Sequence, residues 1–327
     1  MSFEIGELHP NSPHLFADLA VLLLLLSYKG RSYIHSNDLE SLITSSDINS
    51  DEIDEEKDEQ AEERSSAERH SRADRQIEDV LSQLEYRAKA FGDSYPFTVS
   101  GQKLKIKPSL NESHRVYRLL VSCSRLRSFN KAGIPQNWAR VFARVAKIAM
   151  AGLASQSAVT RIFDANSDDR RDYYGTDLRE ALKVLGRDLA VLKVNEDECN
   201  KASSSGDAGY DLVSVLSFND GAATHHALLG QCGAQETEWP KKTLEAHPIN
   251  CQHFFQMQLA YQSVMFTPVC YRNTTGEWVN NKCTNGVLLV DRLRAIHLIG
   301  IQAAFADLST QSWFIDFETK FGQFVFR

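Results

Sequence analysis

Gly206-Asp207-Ala208-Gly209-Tyr210-Asp211-Leu212-Val213, then after a polar turn Ala227-Leu228-Leu229-Gly230-Gln231-Cys232-Gly233, then Glu238-Trp239-Pro240-Lys241-Lys242, is the stretch on which the fold turns. Two apolar runs rich in Leu and Val are bounded by Gly, Asp and Asn, the pattern of two buried strands joined by a loop at Phe218–Thr224. Asp211 opens the first run and Gln231 lies near the end of the second, so a hairpin sets the two side by side on one face. Residues two apart in a strand share a face; Gln231 and Gly233 therefore point to one side and Cys232 to the other. The missing side chain at Gly233 leaves space beside Gln231, which Lys241 or Lys242 is expected to fill.

The Gly-Asp-x-Gly-x-Asp opening followed by a glutamine-bearing strand, over roughly residues 170–245, resembles the PD-(D/E)XK nuclease superfamily and, within it, the Mrr-like restriction endonucleases. In that pattern an acid opens one strand, and an acid or glutamine and a lysine two residues apart follow on the next. Asp211 matches the first element and Gln231 the glutamine form of the second. With glycine at 233, the resemblance implies a lysine displaced to the Trp239–Lys242 segment, Lys242 ahead of Lys241. It implies an α/β fold, a restriction-endonuclease-like mixed sheet flanked by helices. It also implies DNA cleavage with Mg²⁺ or Mn²⁺, in a cytoplasmic restriction or anti-phage defence system of prokaryotic type.

The chemistry requires these residue types together. Hydrolysing a phosphodiester takes a cation that neutralises charge on the phosphate and lowers the pKa of a bound water, and hard cations take oxygen ligands. Under the resemblance Asp211 is the central ligand, joined by the Gln231 side-chain oxygen and the backbone carbonyl of Cys232, while the lysine orients water or stabilises the developing oxyanion. A second acid is implied on a preceding helix. Leu178, Ala181, Leu182 and Leu185 fall at helical spacing with Thr176 as N-cap, and Glu180 beside that stripe is the first choice, Asp177 the second. The alternative for both is a solvated first-turn acid favoured by the helix dipole.

At 327 residues the chain has length for two domains, a mainly helical one over 1–150 and a nuclease-like one over 151–327. Its 36 basic and 43 acidic residues leave a net charge of −7, against a nucleic-acid binder taken whole. The acids, however, concentrate between Asp47 and Glu63, and the block Asp51–Glu59 reads as a solvated or mobile linker within residues 46–70. Elsewhere Lys103, Lys105 and Lys107 alternate along a strand-like run, followed by Arg115, Arg118, Arg125 and Arg127; the cluster either tracks phosphates or forms a solvated face. Six cysteines without a Cys-x-x-Cys pair suggest reduced thiols. The leucine run Leu19–Leu26 is broken upstream by Asp18 and falls short of the ~20 residues that span a bilayer, so it reads as a buried helix, with no membrane partner.

Further elements are expected as helices at 13–45, 72–91, 113–127, 137–154, 177–192 and near 249–260, a hairpin at 95–108, strands at 263–271 and 287–290, and a helix from Asp291. His225-His226 reads as a polar strand entry rather than a general base, Cys251-Gln252-His253 lacks zinc spacing, and Trp239 and Trp278 read as packing residues. Arg292 and Arg294 suggest an internal ion pair before a phosphate contact. A papain-like cysteine protease is not expected, since Gln235 stands where its nucleophile belongs. No P-loop is present, so ATP-driven translocation needs a partner subunit, an ATPase or sensor; a homo-oligomer is compatible as well. The competing function is a degenerate nuclease fold that binds or scaffolds, motivated by Gly233 and Gln231.

Overall fold

Apolar residues at almost every position leave the first helix no polar face, and α1 (Pro13–Leu25) is buried from His14 to Leu24. The computed structural model describes residues 1–51 and 59–326. Around α1 lie β1 (Ser2–Phe3), β2 (Tyr33–His35), α2 (Ser36–Asp51), the long α3 (Glu59–Phe91), the hairpin β3 (Phe97–Ser100) and β4 (Lys103–Ile106), and α4 (Glu112–Cys123). Most of the acidic block, residues 52–58, lies outside the described residues, and its ends Asp51 and Glu59 belong to α2 and α3. After β5 (Phe129–Asn130) comes α5 (Ile134–Leu153), then β6 (Val159–Ile162), α6 (Leu178–Asp188), β7 (Lys193–Val194) and α7 (Glu196–Lys201). The chain finishes with β8 (Leu212–Leu216), β9 (His226–Cys232), β10 (Phe255–Gln256), β11 (Gln262–Phe266), β12 (Leu288–Val290), α8 (Arg292–Ile301), α9 (Phe305–Thr310), α10 (Ser312–Phe321) and β13 (Val325–Phe326).

The fold is mixed α/β. Its largest sheet has the order β12-β11-β9-β8-β6, with β6, β8 and β9 antiparallel in turn and β9, β11 and β12 parallel. The expected hairpin is present: Leu212 pairs with Gly230 and Leu216 with His226. Strand alternation divides the sheet. Leu212, Leu228 and Phe266 pack with Trp138 and Ala149 of α5, Ile299 of α8 and Phe317 of α10, whereas Val213 and Leu229 face Leu182 and Leu185 of α6. The boundary expected at residue 150 falls inside α5, and the first of these cores draws on both sides of it. The helix expected near 249–260 is instead a single turn at Pro248–Cys251 followed by β10, which pairs with β7. Adjacent Phe254 and Phe255 are both buried there. The α6 cap is Asp177, whose carboxylate accepts the Arg179 N–H at 2.9 Å, rather than Thr176. Among the described residues no helix is long and apolar enough to cross a membrane.

Asp18, the one acid in α1, is 1% exposed. Arg292 Nη1 and Nη2 donate to its two oxygens at 2.9 and 2.6 Å, Arg87 Nη1 donates at 2.7 Å, and the Ser124 hydroxyl at 2.8 Å. The internal ion pair expected of Arg292 thus joins α1, α3, α8 and the end of α4. Burial alone would raise the Asp18 pKa, but the charges of Arg292 and Arg87 outweigh it and hold the group at about 2.

Removing the charge leaves two buried guanidinium groups uncompensated, so Asp18→Asn is expected to cost about 3–5 kcal/mol in urea unfolding. Because the folded pKa is depressed, the contribution of this carboxylate is present above pH ~4 and is lost as the pH falls toward 2. A variant that unfolds at the wild-type urea midpoint would show that the network is not holding these helices.

Candidate metal centre

Three loops converge beneath the end of β9. Asp211 stands one residue ahead of β8: its N–H donates to Gly230 O at 2.9 Å, its carbonyl accepts from Phe163 N–H at 2.6 Å, and its Oδ2 accepts from Cys232 N–H at 2.7 Å. Asp207 sits in the turn between Gly206 (φ +98°) and Gly209 (φ +87°), its Oδ1 accepting the Gly209 N–H at 2.9 Å. Positive φ favours glycine at both ends of that turn, and a Cβ on Gly209 would lie 2.7 Å from Glu245 O. Asp164 follows β6, where its Oδ1 accepts the Asn166 N–H at 2.8 Å. Carboxylate oxygens of Asp164, Asp207 and Asp211 all lie within 4.8 Å of one another, a spacing that one cation can bridge.

Arg170 ties the loops together. Fully buried, it donates through Nη1 to Phe163 O at 2.9 Å and Gly206 O at 3.2 Å, the residues just before Asp164 and Asp207, and through Nε to Gly175 O at 2.8 Å. Burial lowers its pKa while the charges of Asp207 and Asp164 work against that. Asp211 has the opposite problem. Burial raises its pKa to about 7, the Cys232 N–H opposes the rise, and the nearby charges of Asp207, Asp164 and Glu245 add to it. A carboxyl whose proton is held chiefly by burial, and further by neighbouring acids, is a group that a divalent cation would ionise.

The remaining expected residues are distributed differently. Gln231 is buried, its Nε2 donating to Glu245 Oε2 at 3.0 Å, while its Oε1 meets no partner among the described residues. Cys232, expected to offer its backbone carbonyl to the cation, donates its N–H to Asp211 Oδ2. No lysine occupies the space beside Gly233, because Met265 Cε and Trp239 Cβ already fill it, 2.3 and 2.5 Å from where a Cβ would stand. Lys242 is exposed, and Lys241 is exposed and pairs with Glu238 at 3.6 Å. Glu180 points to solvent on α6 and pairs with Lys183 at 2.8 Å, outside the aspartate group. His226 begins β9, roughly 20 Å along the strand from Cys232, and His225 precedes it. Asp207 was signalled by the two glycines around it; Asp164 had only its place after a β-branched run to mark it.

Asp164, Asp211 and Cys232 line a cleft of about 950 Å³ whose other walls are α5 and the segment from α9 to the start of α10. None of Lys103, Lys105, Lys107, Arg115, Arg118 or Lys241 lines it. Lys103 and Lys105 stand exposed on β4, and Arg115 and Arg118 both bind Glu318, so the expected basic run is divided and partly neutralised. The cations that do line the cleft, Arg140, Arg144 and Lys147, come from α5. No family model, curated protein or solved structure matches this chain.

Cation binding must displace the proton held by Asp211 near neutral pH. Mn²⁺ affinity, titrated calorimetrically, is therefore expected to rise about ten-fold per pH unit up to about 7 and to level off above it, a dependence that Asp211→Asn abolishes. A flat profile in the wild type would show that Asp211 gives up no proton when the cation binds. Arg170→Met cuts the ties behind two of the three acids, and a loss of about 10- to 100-fold in Mn²⁺ affinity is expected. Unchanged affinity would mean that the loops hold their own geometry.

Proposed function

We propose that this chain is a metal-dependent nuclease of restriction-endonuclease type, with Mg²⁺ or Mn²⁺ held by Asp211, Asp207 and Asp164. The convergence of these acids at a strand opening, with Asp211 and Asp164 on the wall of a cleft that also carries α5 cations, is the observation that carries the reading. The expected side-by-side placement of Asp211 and Gln231 does not carry it: the β8–β9 pairing stops at Leu212 opposite Gly230, Asp211 meets Gly230 O and the Cys232 N–H, and Gln231 turns to Glu245. A divalent cation held there would supply charge neutralisation on the phosphate and a more acidic water.

The chain's own groups do the rest. Asp211 and Asp164 would hold the cation at the cleft wall, where it would neutralise charge on the scissile phosphate. Lys147, whose Nζ lies 2.7 Å from Asp169 Oδ2 inside the cleft, takes the part expected of Lys242 and stabilises the developing oxyanion. DNA as substrate, a cytoplasmic defence setting and a partner ATPase or sensor remain with the family reading. A second reading, a binding or scaffolding subunit without cleavage, is favoured by the filled space at Gly233 and the engagement of Gln231 with Glu245.

Incubation with plasmid, linear duplex and single-stranded DNA, with Mg²⁺ or with EDTA, separates the two. Mg²⁺-dependent cleavage that falls to background in Asp211→Asn is the expected result. Lys147→Ala should lower the rate far more than Lys242→Ala. Metal binding without cleavage of any substrate would leave the scaffolding role.

A further inference from the structure

Arg140, Arg144 and Lys147 fall at i, i+4 and i+7 of α5, one stripe of the helix, while Trp138, Val141, Phe142 and Val145 take the opposite stripe into the core. The charges on this stripe are not equally engaged. Lys147 is committed to Asp169, Arg144 reaches Asp168 only at 3.9 Å while Arg171 holds that acid at 3.0 Å, and Arg140 is exposed and pairs with no acid among the described residues. Across the cleft Trp313 is half-buried, with the Arg144 guanidinium 5.8 Å from its ring centroid. An aromatic ring beside one arginine without an acid partner and one only loosely held, opening toward clustered carboxylates, is the chemistry of a stacking platform next to a phosphate track.

We propose that this cleft binds an unpaired, single-stranded segment of nucleic acid, with Arg140 and Arg144 on successive phosphates and a base stacked on Trp313. A volume of about 950 Å³ suits a few unpaired nucleotides. In a duplex the base faces are covered by their neighbours, so Trp313 has nothing to stack on. Arg140 and Arg144 stand about 6 Å apart along the helix axis, within reach of neighbouring phosphates of one strand. The strand then leads from Trp313 toward Asp164 and Asp211. That last step deepens the nuclease reading and rests on it; the binding does not.

Fluorescence anisotropy of the full chain in EDTA tests the binding separately from cleavage, using labelled oligothymidylate, oligouridylate and a blunt duplex. Single strands are expected to bind at least ten-fold tighter than the duplex, and the two single-stranded arms tell DNA from RNA. Trp313→Ala should weaken single-strand binding by about ten-fold or more, and Trp313→Phe should restore most of it. Arg140→Gln should reduce the salt dependence of binding by about 0.7 in log–log slope. Equal affinity for duplex and single strand, or single-strand binding unchanged in folded Trp313→Ala and Arg140→Gln, would overturn the proposal. Single-strand binding by this cleft in a chain that cleaves nothing with Mg²⁺ would support the inference and sink the nuclease reading alone.

Discussion

Two arginines and a serine close on one buried aspartate, and the arrangement of the helices depends on that closure. Asp18 receives Arg87 from α3, Arg292 from the first turn of α8 and the Ser124 hydroxyl just after α4, at 2.6 to 2.9 Å. Burying three charges is costly, and only a complete set of partners recovers the cost, so the elements that carry them have little freedom to move apart. Arg292 also donates to Pro268 O at 2.7 Å, which ties the network to the end of β11 and so to the sheet.

From there the constraint passes to the cleft. α5 rests on α8 at Gly152, where an added Cβ would lie 2.8 Å from Leu298 O. A side chain at that point would push the helices apart and carry Arg140, Arg144 and Lys147 with them. The other wall is built by a different device. Asp164 and Asp207 lie on loops, where backbone freedom is greatest, and Arg170 removes that freedom by bonding the carbonyl just before each acid. One wall is fixed by close helix packing and the other by a buried guanidinium, which makes the distance between cations and carboxylates a property of the core.

Parts of this were legible in the residues. The leucines of α1 have no polar side to show solvent, the β8–β9 hairpin announces itself by apolar runs between turn residues, and Asp211 stands out as an acid at a strand opening. Asp164 was not legible, because an acid after a short strand is ordinary until the fold brings two others to it. The lysine expected beside Gly233 failed for a packing reason: the indole of Trp239, stacked edge-on against Tyr271 at 4.6 Å, needs a buried place, and the gap left by glycine is part of it. Glu180 failed through geometry, since α6 covers the face of the sheet lined by Val213 and Leu229, while the cleft opens on the face covered by α5. Arg115 and Arg118 read as a basic run in sequence but meet a single acid, Glu318, two hundred residues later.

The displaced cation has a consequence for how such a site would work. Were the amine on the strand beside Gln231, its position would follow the sheet and be set independently of whatever binds in the cleft. Lys147 instead shares α5 with Arg140 and Arg144, and its Nζ is held by Asp169, whose Oδ2 also accepts the Ile162 N–H at 2.7 Å. That carboxylate therefore anchors α5 to the last residue of β6, two residues before Asp164. On the nuclease reading, the groups that grip the backbone and the group that stabilises the reacting phosphate belong to one rigid helix. A strand seated on the arginines would arrive in register with both the amine and the acids, and binding energy gained along α5 would be available for orientation at the scissile bond.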